Sequence, residues 1–246
     1  MTSVCMATYN GARFIREQID SILPQLGAED ELIVSDDGST DGTLGILAEY
    51  AAADARVKVL HHEKNPAYAK IKHSRNFYYA TDNFENALRQ AKGDYIFLAD
   101  QDDVWRNDKV GKIVELLKNV DSVMHNYQII DENSKVVKVM SFSNKCLSNS
   151  LMHNLMQTPF LGCCMAFNRK VLNAVLPFPK KLIAHDLWIG CIMCKLFTFA
   201  VSDESLVNHR LHSANTSNVG KKSKNPFFWK ILYRMKLLFC MKNFWR

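Results

Sequence analysis

Three carboxylates lie within four residues at the end of an apolar run, Tyr95-Ile-Phe-Leu-Ala-Asp100-Gln-Asp102-Asp103. Carboxylates this close repel one another, and crowding or burial raises their pKa values unless positive charge offsets them. A hard divalent cation with oxygen ligands is the usual partner of such a group, and it commonly takes further ligands from phosphate and water. The pattern therefore predicts a site for a metal ion and a diphosphate. Asp103 could be a neighbour of that metal or the cap of the next helix.

Two further apolar runs also end in polar residues. Residues 31–35 lead into Asp36 and Asp37, followed by glycines that permit tight turns and by hydroxyls at 39–43 that can cap a helix. Asp36 could cap this turn while Asp37 binds a ligand, so Asp37 is the stronger binding candidate. The third run, at residues 3–7, ends in Thr8-Tyr9-Asn10.

These three segments share one order: an apolar strand, a polar tip and a helix. The helix after the first strand has an apolar face that includes Phe14, Ile15 and Ile19 and stops before Pro24. Alternating strands and helices predict an α/β fold with a mostly parallel central sheet flanked by helices. In such sheets ligands bind outside the carboxyl ends of the strands, which is where the polar tips would lie.

The second half of the chain continues the alternation less regularly. We expect a helix over 108–119, strands over 122–127 and 162–168, a helix over 169–175, and a helix that opens at His185-Asp186. A catalytic domain would cover residues 1–218, with a donor half at about 1–104 and an acceptor half at about 105–218. Residues 219–246 would form a basic amphipathic helical tail.

Four motifs in this order resemble one known family. They are ATYNG at residues 7–11, DELIVSDDGSTDGT, GDYIFLADQDDVW and HDLWIG. Together they resemble the inverting family 2 glycosyltransferases with the GT-A nucleotide-diphospho-sugar fold, and bacterial rhamnosyltransferase-like members are the most similar. The resemblance covers about residues 1–215, whereas a lone Asp-x-Asp would be weak evidence.

The resemblance assigns roles at the donor side. It implies that Tyr9 and Asp37 hold the nucleotide base, that Asp100 lies near the ribose, and that Asp102 binds a Mn²⁺ or Mg²⁺ cofactor bridging the diphosphate. The whole donor nucleotide site that it implies consists of Thr8, Tyr9, Asn10, Asp37, Asp100 and Gln101. Ordinary packing at the strand end is the alternative for Tyr9.

At the acceptor side the family's catalytic base maps onto Asp186, where a helix N-terminus would favour the ionised carboxylate. Its alternative is a simple N-cap. Arg210 and His212 match a late Arg-x-His motif that would contact the diphosphate or the metal, or would lie in a surface loop. His185 and Trp188 are possible acceptor contacts, and Trp188 could equally be a core residue.

One segment departs from the resemblance. Residues 65–82 appear as an insertion rich in Lys, His, Tyr and Asn before a helix that begins near Asn83. We expect either a loop near the donor or acceptor, or an inert surface insertion. His61 and His62 follow the strand at 57–60 and are expected to be ordinary loop histidines.

The positive charge of the chain is concentrated in the tail. The net charge is +6, but residues 219–246 contain eight Lys or Arg and no acid, so the rest of the chain is slightly acidic. Cations interleaved with Trp229, Tyr233 and Trp245 favour a helix in the interface of an anionic membrane, with a helix packed on the domain as the alternative. No nucleic-acid recognition motif accompanies this charge.

Other sequence features set the expected location. No run approaches the roughly 18 apolar residues of a membrane span, and the N-terminus lacks a signal-peptide pattern. We therefore expect a cytoplasmic protein, peripheral on the cytoplasmic face of the inner membrane. The seven cysteines are expected to be reduced, and Cys191-Ile-Met-Cys194 lies in an apolar helical run without a second ligand pair.

The predicted function is transfer of a sugar from a nucleotide-diphosphate donor, with dTDP-rhamnose as the first expectation and a UDP-hexose otherwise. The acceptor would be a saccharide or lipid-linked saccharide in bacterial surface polysaccharide synthesis, such as O-antigen or capsule. A sugar nucleotidyltransferase is disfavoured because the loop after the first strand has one glycine. A catalytically silent nucleotide-binding subunit of a membrane complex is the other alternative, and the presence of Asp37, Asp100, Asp102 and Asp186 together argues against it.

Overall fold

The computed structural model describes residues 1–142, 147–180, 182–212, 215 and 226–241. In the first half of the chain, strands alternate with helices as predicted. The elements are β1 (Thr2–Thr8), α1 (Ile15–Ile22), β2 (Glu31–Asp36), α2 (Thr43–Ala53), β3 (Val57–His61), α3 (Arg75–Gln90) and β4 (Tyr95–Asp100).

The second half has shorter and more varied elements. They are β5 (Val104–Trp105), α4 (Lys109–Leu117), β6 (Ser122–Ile130), β7 (Val136–Met140), α5 (Leu151–Gln157), β8 (Met165–Asn168), α6 (Arg169–Val175), α7 (His185–Leu196), β9 (Phe199–Arg210) and α8 (Phe227–Cys240). α7 opens at His185-Asp186, as the sequence predicts.

The nine strands of the described residues form one sheet in the order β3-β2-β1-β4-β8-β6-β9-β5, with β7 paired to β6. The predicted α/β fold is confirmed, and β3, β2, β1 and β4 run parallel. Beyond β4 the sheet is mixed, because β8 pairs antiparallel with both β4 and β6, whereas β6 and β9 are parallel.

The register of the parallel strands brings their polar ends to one edge. Thr8 of β1 pairs with Asp36 of β2, and Ala7 pairs with Asp100 of β4. The residues that follow each strand therefore emerge side by side above the sheet. β2 is buried along its whole length and the centre of β4 is buried on both faces, so helices cover the sheet on both sides.

The cysteines of the described chain are free. Cys5, Cys163, Cys164, Cys191 and Cys194 are buried, and Cys240 is partly exposed, whereas Cys146 lies outside the described residues. Burial raises the pKa of the Cys194 thiol to about 12, so this side chain behaves as a small core residue.

The segment 65–82 is more ordered than the expected loop. A short 3₁₀ turn covers Pro66–Lys70, and α3 begins at Arg75, eight residues before the predicted start at Asn83. Tyr68 is only 3% exposed, with its ring 5.1 Å from the ring of Tyr78. The expected loop is therefore wrong for residues 75–82, because burial of aromatic rings extends the helix backwards.

The described part of the tail packs on the domain through one face. Leu237 and Met241 are buried, and Arg234 Nε donates to the carbonyl of Leu155 at the end of α5 at 2.7 Å. The rings of Trp229 and Tyr233 lie 5.1 Å apart at an interplanar angle of 45°, and both side chains are half-buried. Residues 219–225 and 242–246, including Trp245, lie outside the described residues. Among the described helices, none is long and apolar enough to cross a membrane.

Two helical glycines give opposite predictions for the same substitution. A Cβ at Gly190 in α7 would lie 2.3 Å from the Phe160 ring, whereas one at Gly111 in α4 would meet open space. We expect Gly190→Ala to lower the free energy of unfolding by about 1–3 kcal/mol through overpacking. Gly111→Ala should raise it by about 0.5–1 kcal/mol, because alanine favours helix. Denaturant unfolding of both variants checks the pair, and equal shifts would show that Phe160 does not restrict α7.

Candidate active site

β9 supplies the positive partners of the carboxylates that follow β4. His209 Nδ1 lies 2.9 Å from Asp103 Oδ1, and the backbone N–H of Arg210 donates to the same oxygen at 3.1 Å. Beyond the end of β9, His212 Nε2 lies 2.7 Å from Asp102 Oδ2. Asp103 is neither exposed nor the cap of α4, since the cap position of that helix is Asp108.

The ionisable groups of this cluster shift one another's pKa values. Burial, followed by repulsion from Asp103 and Asp102, raises the pKa of Asp100 to about 8. Burial works against charge on His209, but the neighbouring Asp103 carboxylate outweighs it and raises the pKa of His209 to about 10. For Asp103, burial raises the pKa but the charge and hydrogen bond of His209 lower it overall. Asp103 and His209 thus form a buried ion pair, and Asp100 is protonated at neutral pH as long as no cation offsets its charge.

The donor set suits a hard or borderline divalent cation. Asp100, Asp103, Cys163 and His209 each have a ligand atom within 4.8 Å of the others. Because Asp103 is already paired with His209, the remaining nearby groups that could hold a cation are the carboxylates of Asp100 and Asp102 and the imidazole of His212, which lies 2.7 Å from Asp102 Oδ2. Oxygen and imidazole ligands fit Mn²⁺ or Mg²⁺, and the raised pKa of Asp100 marks charge that a cation would offset. The predicted metal ligand Asp102 therefore lies in a fitting environment.

Arg210 has a different position from the one the sequence predicts. Its side chain is 1% exposed, and its guanidinium donates to the Asp102 carbonyl at 3.0 Å, to Ser134 Oγ at 3.0 Å and to Glu17 Oε2 at 2.6 Å. These partners leave it no free edge for a diphosphate. Arg210 therefore holds the turn at Asp102 in place through buried hydrogen bonds. This corrects the expectation that it contacts the diphosphate or the metal.

The two aspartates at the end of β2 have distinct roles. Asp36 is buried and accepts hydrogen bonds from the backbone N–H of Gly38 and Ser39 and from the Ser39 hydroxyl. It therefore holds the turn, in which Gly38 has a φ of +75°. Asp37 instead pairs with His62, whose Nδ1 lies 2.6 Å from Asp37 Oδ1.

That contact corrects the expectation for His62. Asp37 is 25 residues away in sequence, but parallel pairing of β2 and β3 places the end of β3 beside it. The pairing of adjacent parallel strands is the signal from which this contact could have been expected. His61 remains exposed, as predicted for a loop histidine.

Three of the six predicted donor-site residues hold the loops together. Gln101 Oε1 accepts from the Thr8 hydroxyl at 2.5 Å and from the Tyr9 backbone N–H at 2.9 Å. Asn10 has a φ of +50°, and its side-chain oxygen accepts from the Thr40 N–H at 2.8 Å. Thr8, Asn10 and Gln101 thus join the tips of β1, β2 and β4 to one another. Their side chains support the site from beneath.

Tyr9 projects from the same edge. Its side chain is 45% exposed, and Lys64 Nζ lies 2.8 Å from the centre of its ring. An exposed aromatic ring covered only by an ammonium group is a surface on which a flat base can stack. Of the other predicted donor residues, Tyr9 is therefore the exposed one at this edge, whereas Asp100 is partly exposed and Asp37 is buried.

Asp186 is the first acidic residue of α7, and its carboxyl is partly enclosed. Burial raises the pKa of Asp186 to about 6, and the Leu187 backbone N–H that donates to it at 2.7 Å opposes that rise. The helix start thus fails to lower this pKa below its usual value, contrary to the expectation. The charge of Asp186 makes the smallest of the contributions that raise the pKa of Asp100. A Cβ at Gly162 would lie 3.8 Å from both Asp186 Cβ and Leu98 Cδ1, so Asp186 lies beside β4, the strand that ends at Asp100.

Two residues next to Asp186 in α7, His185 and Trp188, are predicted as possible acceptor contacts. His185 stacks on Phe84 with ring centres 4.1 Å apart, and burial lowers its pKa to about 3, which keeps it neutral. Trp188 is 3% exposed, and its ring N–H donates to the Val175 carbonyl at 3.0 Å. No ring face of Trp188 is open to an acceptor. Trp188 is therefore a core residue rather than the possible acceptor contact.

The glycosyl transferase family 2 model matches residues 3–176. The chain belongs to glycosyl transferase family 2. It is 35% identical over 198 residues to the Escherichia coli UDP-Glc:alpha-D-GlcNAc-diphosphoundecaprenol beta-1,3-glucosyltransferase WfgD, covering 78% of this chain and 70% of that protein. It is 25% identical over 250 residues to the putative teichuronic acid biosynthesis glycosyltransferase TuaG of Bacillus subtilis, covering 100% of this chain and 92% of TuaG.

Solved structures agree on the fold. Residues 1–349 of Staphylococcus aureus TarS, in complex with UDP-GlcNAc, superpose with a TM-score of 0.69 at 20% identity, over 96% of this chain and 66% of that one. Some relatives are longer: a match to an uncharacterized glycosyltransferase of Nostoc sp., 30% identical over 225 residues, covers 87% of this chain and 65% of that protein. At this level of identity the TarS likeness supports the GT-A-like fold alone.

Arg210 and Arg16 provide a test of the structural role of Arg210. Arg210→Ala should lower the free energy of unfolding by about 3–5 kcal/mol, because it removes one partner from a buried, hydrogen-bonded set. Arg16→Ala, which removes an exposed pair with Glu49, should change it by only about 0–1 kcal/mol. Thermal and urea unfolding measure both variants. An Arg210→Ala protein as stable as wild type would contradict this structural role and favour the predicted diphosphate contact.

Proposed function

We propose that this protein is an inverting glycosyltransferase that moves a sugar from a nucleotide-diphosphate donor to a saccharide acceptor. The single observation that carries the proposal is the position of Asp186 beside the strand that ends in the carboxylate cluster: a Cβ at Gly162 would lie 3.8 Å from both Asp186 Cβ and Leu98 Cδ1 of β4. Family membership and the GT-A-like fold support the same reading.

The donor would bind along the edge formed by β1, β2 and β4. Tyr9 would stack on the base, Asp37 would accept a hydrogen bond from it, and Asp100 would lie near the ribose. Asp100, Asp102 and His212 would hold Mn²⁺ or Mg²⁺, which supplies positive charge to the diphosphate leaving group. A Pyrobaculum calidifontis mannosyltransferase solved with GDP-Man and Mn²⁺, with a TM-score of 0.60 at 18% identity, has the same general fold.

Asp186 would remove the proton from the attacking hydroxyl of the acceptor. A carboxylate whose pKa is raised to about 6 is a stronger base than an ordinary one and is still ionised at neutral pH. Neutral His185 beside it adds no positive charge that would weaken the base. Attack from the face opposite the diphosphate inverts the anomeric configuration in one displacement.

The donor sugar belongs to the finer part of the proposal. The motifs that resemble rhamnosyltransferases favour dTDP-rhamnose, whereas the name of WfgD specifies UDP-Glc and favours a UDP-hexose. The bases of dTDP and UDP each have a ring N–H that can donate a hydrogen bond to a carboxylate such as Asp37. For the acceptor, the names of WfgD and TuaG favour a lipid-linked saccharide or a cell-surface polysaccharide.

We also propose peripheral contact with an anionic membrane on its cytoplasmic face. The outward side of α8 exposes Phe228, Leu232, Met235 and Phe239 at helical spacing, each more than half exposed. Met152 and Met156 of α5 extend this surface, and α5 is tied to α8 by Arg234. The described tail has three cations and no acid, which suits an anionic lipid surface.

Substitution of the two carboxylates should separate chemistry from binding. Asp186→Asn should lower kcat by about 100- to 10,000-fold, because it removes the general base, while nucleotide affinity stays near that of wild type. Asp102→Ala should lose metal-dependent nucleotide binding as well as transfer. In wild type, kcat should fall as the pH decreases below about 6, where Asp186 becomes protonated.

Transfer to a lipid-linked acceptor, nucleotide calorimetry and a pH profile of kcat provide the three readouts. Equal loss of nucleotide binding in Asp186→Asn and Asp102→Ala would contradict the separate roles. A pH profile that is unchanged down to pH 5 would exclude Asp186 as the base.

Membrane contact can be measured with a matched surface variant. Leu232→Gln combined with Phe239→Gln should lower binding to vesicles of phosphatidylethanolamine and phosphatidylglycerol by at least about tenfold, because two exposed apolar side chains are lost. Val137→Gln combined with Val139→Gln, on the exposed strand β7, is the control and should bind as wild type. Equal binding of the two double variants to the anionic vesicles would contradict a membrane surface on α8. Wild type that binds phosphatidylcholine vesicles as tightly as the anionic ones would contradict a preference for anionic lipid.

A further inference from the structure

The segment after β3 contains two side chains directed at the proposed donor-base site. His62 and Lys64 alternate with His61 and Glu63, as expected for chain that continues in extended form beyond β3. The His62 backbone N–H donates to the Asp36 carbonyl at 2.8 Å, so β3 pairing continues to this residue. That hydrogen bond fixes the backbone from which the His62 side chain extends.

His62 and Lys64 reach the residues assigned to the base. His62 Nδ1 lies 2.6 Å from Asp37 Oδ1, and Lys64 Nζ lies 3.9 Å from Asp37 Oδ2. The same ammonium covers the Tyr9 ring at 2.8 Å. Asp37 is 3% exposed and its backbone N–H donates to the Thr8 carbonyl at 3.0 Å, so its position is fixed from both sides.

We propose that His62 is a positioning residue for Asp37 and thereby sets the preference of this site for the donor base. This inference rests on the proposed function. His62 binds one carboxylate oxygen and fixes the plane of the carboxylate. The second oxygen lies 3.9 Å from Lys64 Nζ, the same ammonium that covers the Tyr9 ring, so Asp37 and Tyr9 lie on either side of one cation.

The chemistry of the bases gives this arrangement a selectivity. A carboxylate accepts hydrogen bonds and cannot donate them. Uracil, thymine and guanine present a ring N–H, whereas cytosine presents an unprotonated ring nitrogen at the equivalent position. A carboxylate held in one plane favours the ring N–H and repels the lone pair of cytosine. A carboxylate that rotates freely can turn instead to the exocyclic amine of cytosine, so loss of His62 should weaken discrimination.

His61 provides a matched control for His62. Both are histidines, they are adjacent in sequence, and His61 is exposed on β3 where His62 faces Asp37. His62→Gln provides the conservative variant, because its amide N–H can still donate to Asp37. The proteins to compare are wild type, His61→Ala, His62→Ala and His62→Gln.

The measurement is calorimetric affinity for UDP, dTDP, GDP and CDP, each with Mn²⁺. Wild type should bind one of UDP, dTDP or GDP more tightly than CDP. His62→Ala should weaken that preferred nucleotide by about tenfold, the loss of one charge-assisted hydrogen bond, with little change for CDP. His61→Ala should match wild type, and His62→Gln should recover most of the preference.

The possible failures are distinguishable. An unchanged ratio of preferred nucleotide to CDP in His62→Ala overturns the inference while leaving the proposed function intact. Equal weakening of all four nucleotides, or a lowered melting temperature that His62→Gln does not restore, assigns His62 a structural role only and also overturns it. Wild type that binds no nucleotide removes the proposed donor site, and the role of His62 with it.

Discussion

The repulsion among Asp100, Asp102 and Asp103 is the constraint on which this site depends. One strand end contains three carboxylates, and the chain returns from the far side of the sheet to neutralise them. β9 places His209 against Asp103, Arg210 beneath the Asp102 carbonyl, and His212 beside the Asp102 carboxylate. Without β9 this turn would have no fixed partner. The mixed order of the sheet beyond β4 therefore serves to bring a late strand back to the metal loop.

The negative charges of the cluster are offset by neighbouring groups at Asp103 and Asp102 but not at Asp100. Asp103 is paired, and Asp102 has an imidazole at hydrogen-bond distance, but burial and its neighbours keep the pKa of Asp100 near 8. A site that balanced all three carboxylates internally would have little remaining attraction for a cation. The buried pair thus fixes the turn, while Asp100, protonated at neutral pH, would release its proton on binding a cation.

Much of this arrangement could be predicted from the sequence, because strand, polar tip and helix recur along the first hundred residues. The parallel strands, the shared edge and the opening of α7 at His185 follow from that pattern. The roles of Arg210 and Trp188 could not be predicted so well, because sequence motifs do not show burial. Arg210 matches a ligand-binding motif, yet its guanidinium donates hydrogen bonds to the Asp102 carbonyl and the Glu17 carboxylate.

Contacts between distant segments account for the other differences. His62 is 25 residues from Asp37 in sequence and contacts it because β2 and β3 are adjacent in the sheet. The tail's charge pattern predicts a membrane helix, but periodicity alone does not show that α8 has a second face buried against the domain. Leu237 and Met241 are buried there, which confirms packing on the domain for one face, whereas Phe239 is exposed and membrane contact of the other face stays a proposal.

The central claim is that the carboxylate cluster at the end of β4 forms a metal-dependent nucleotide site. The most direct measurement is calorimetric titration of the wild-type protein with UDP and dTDP, in the presence of Mn²⁺ and again with the metal removed by a chelator. We expect one nucleotide to bind with Mn²⁺ and to bind far more weakly without it. Binding that is indifferent to the metal, or no binding of either nucleotide by the folded protein, would contradict the account.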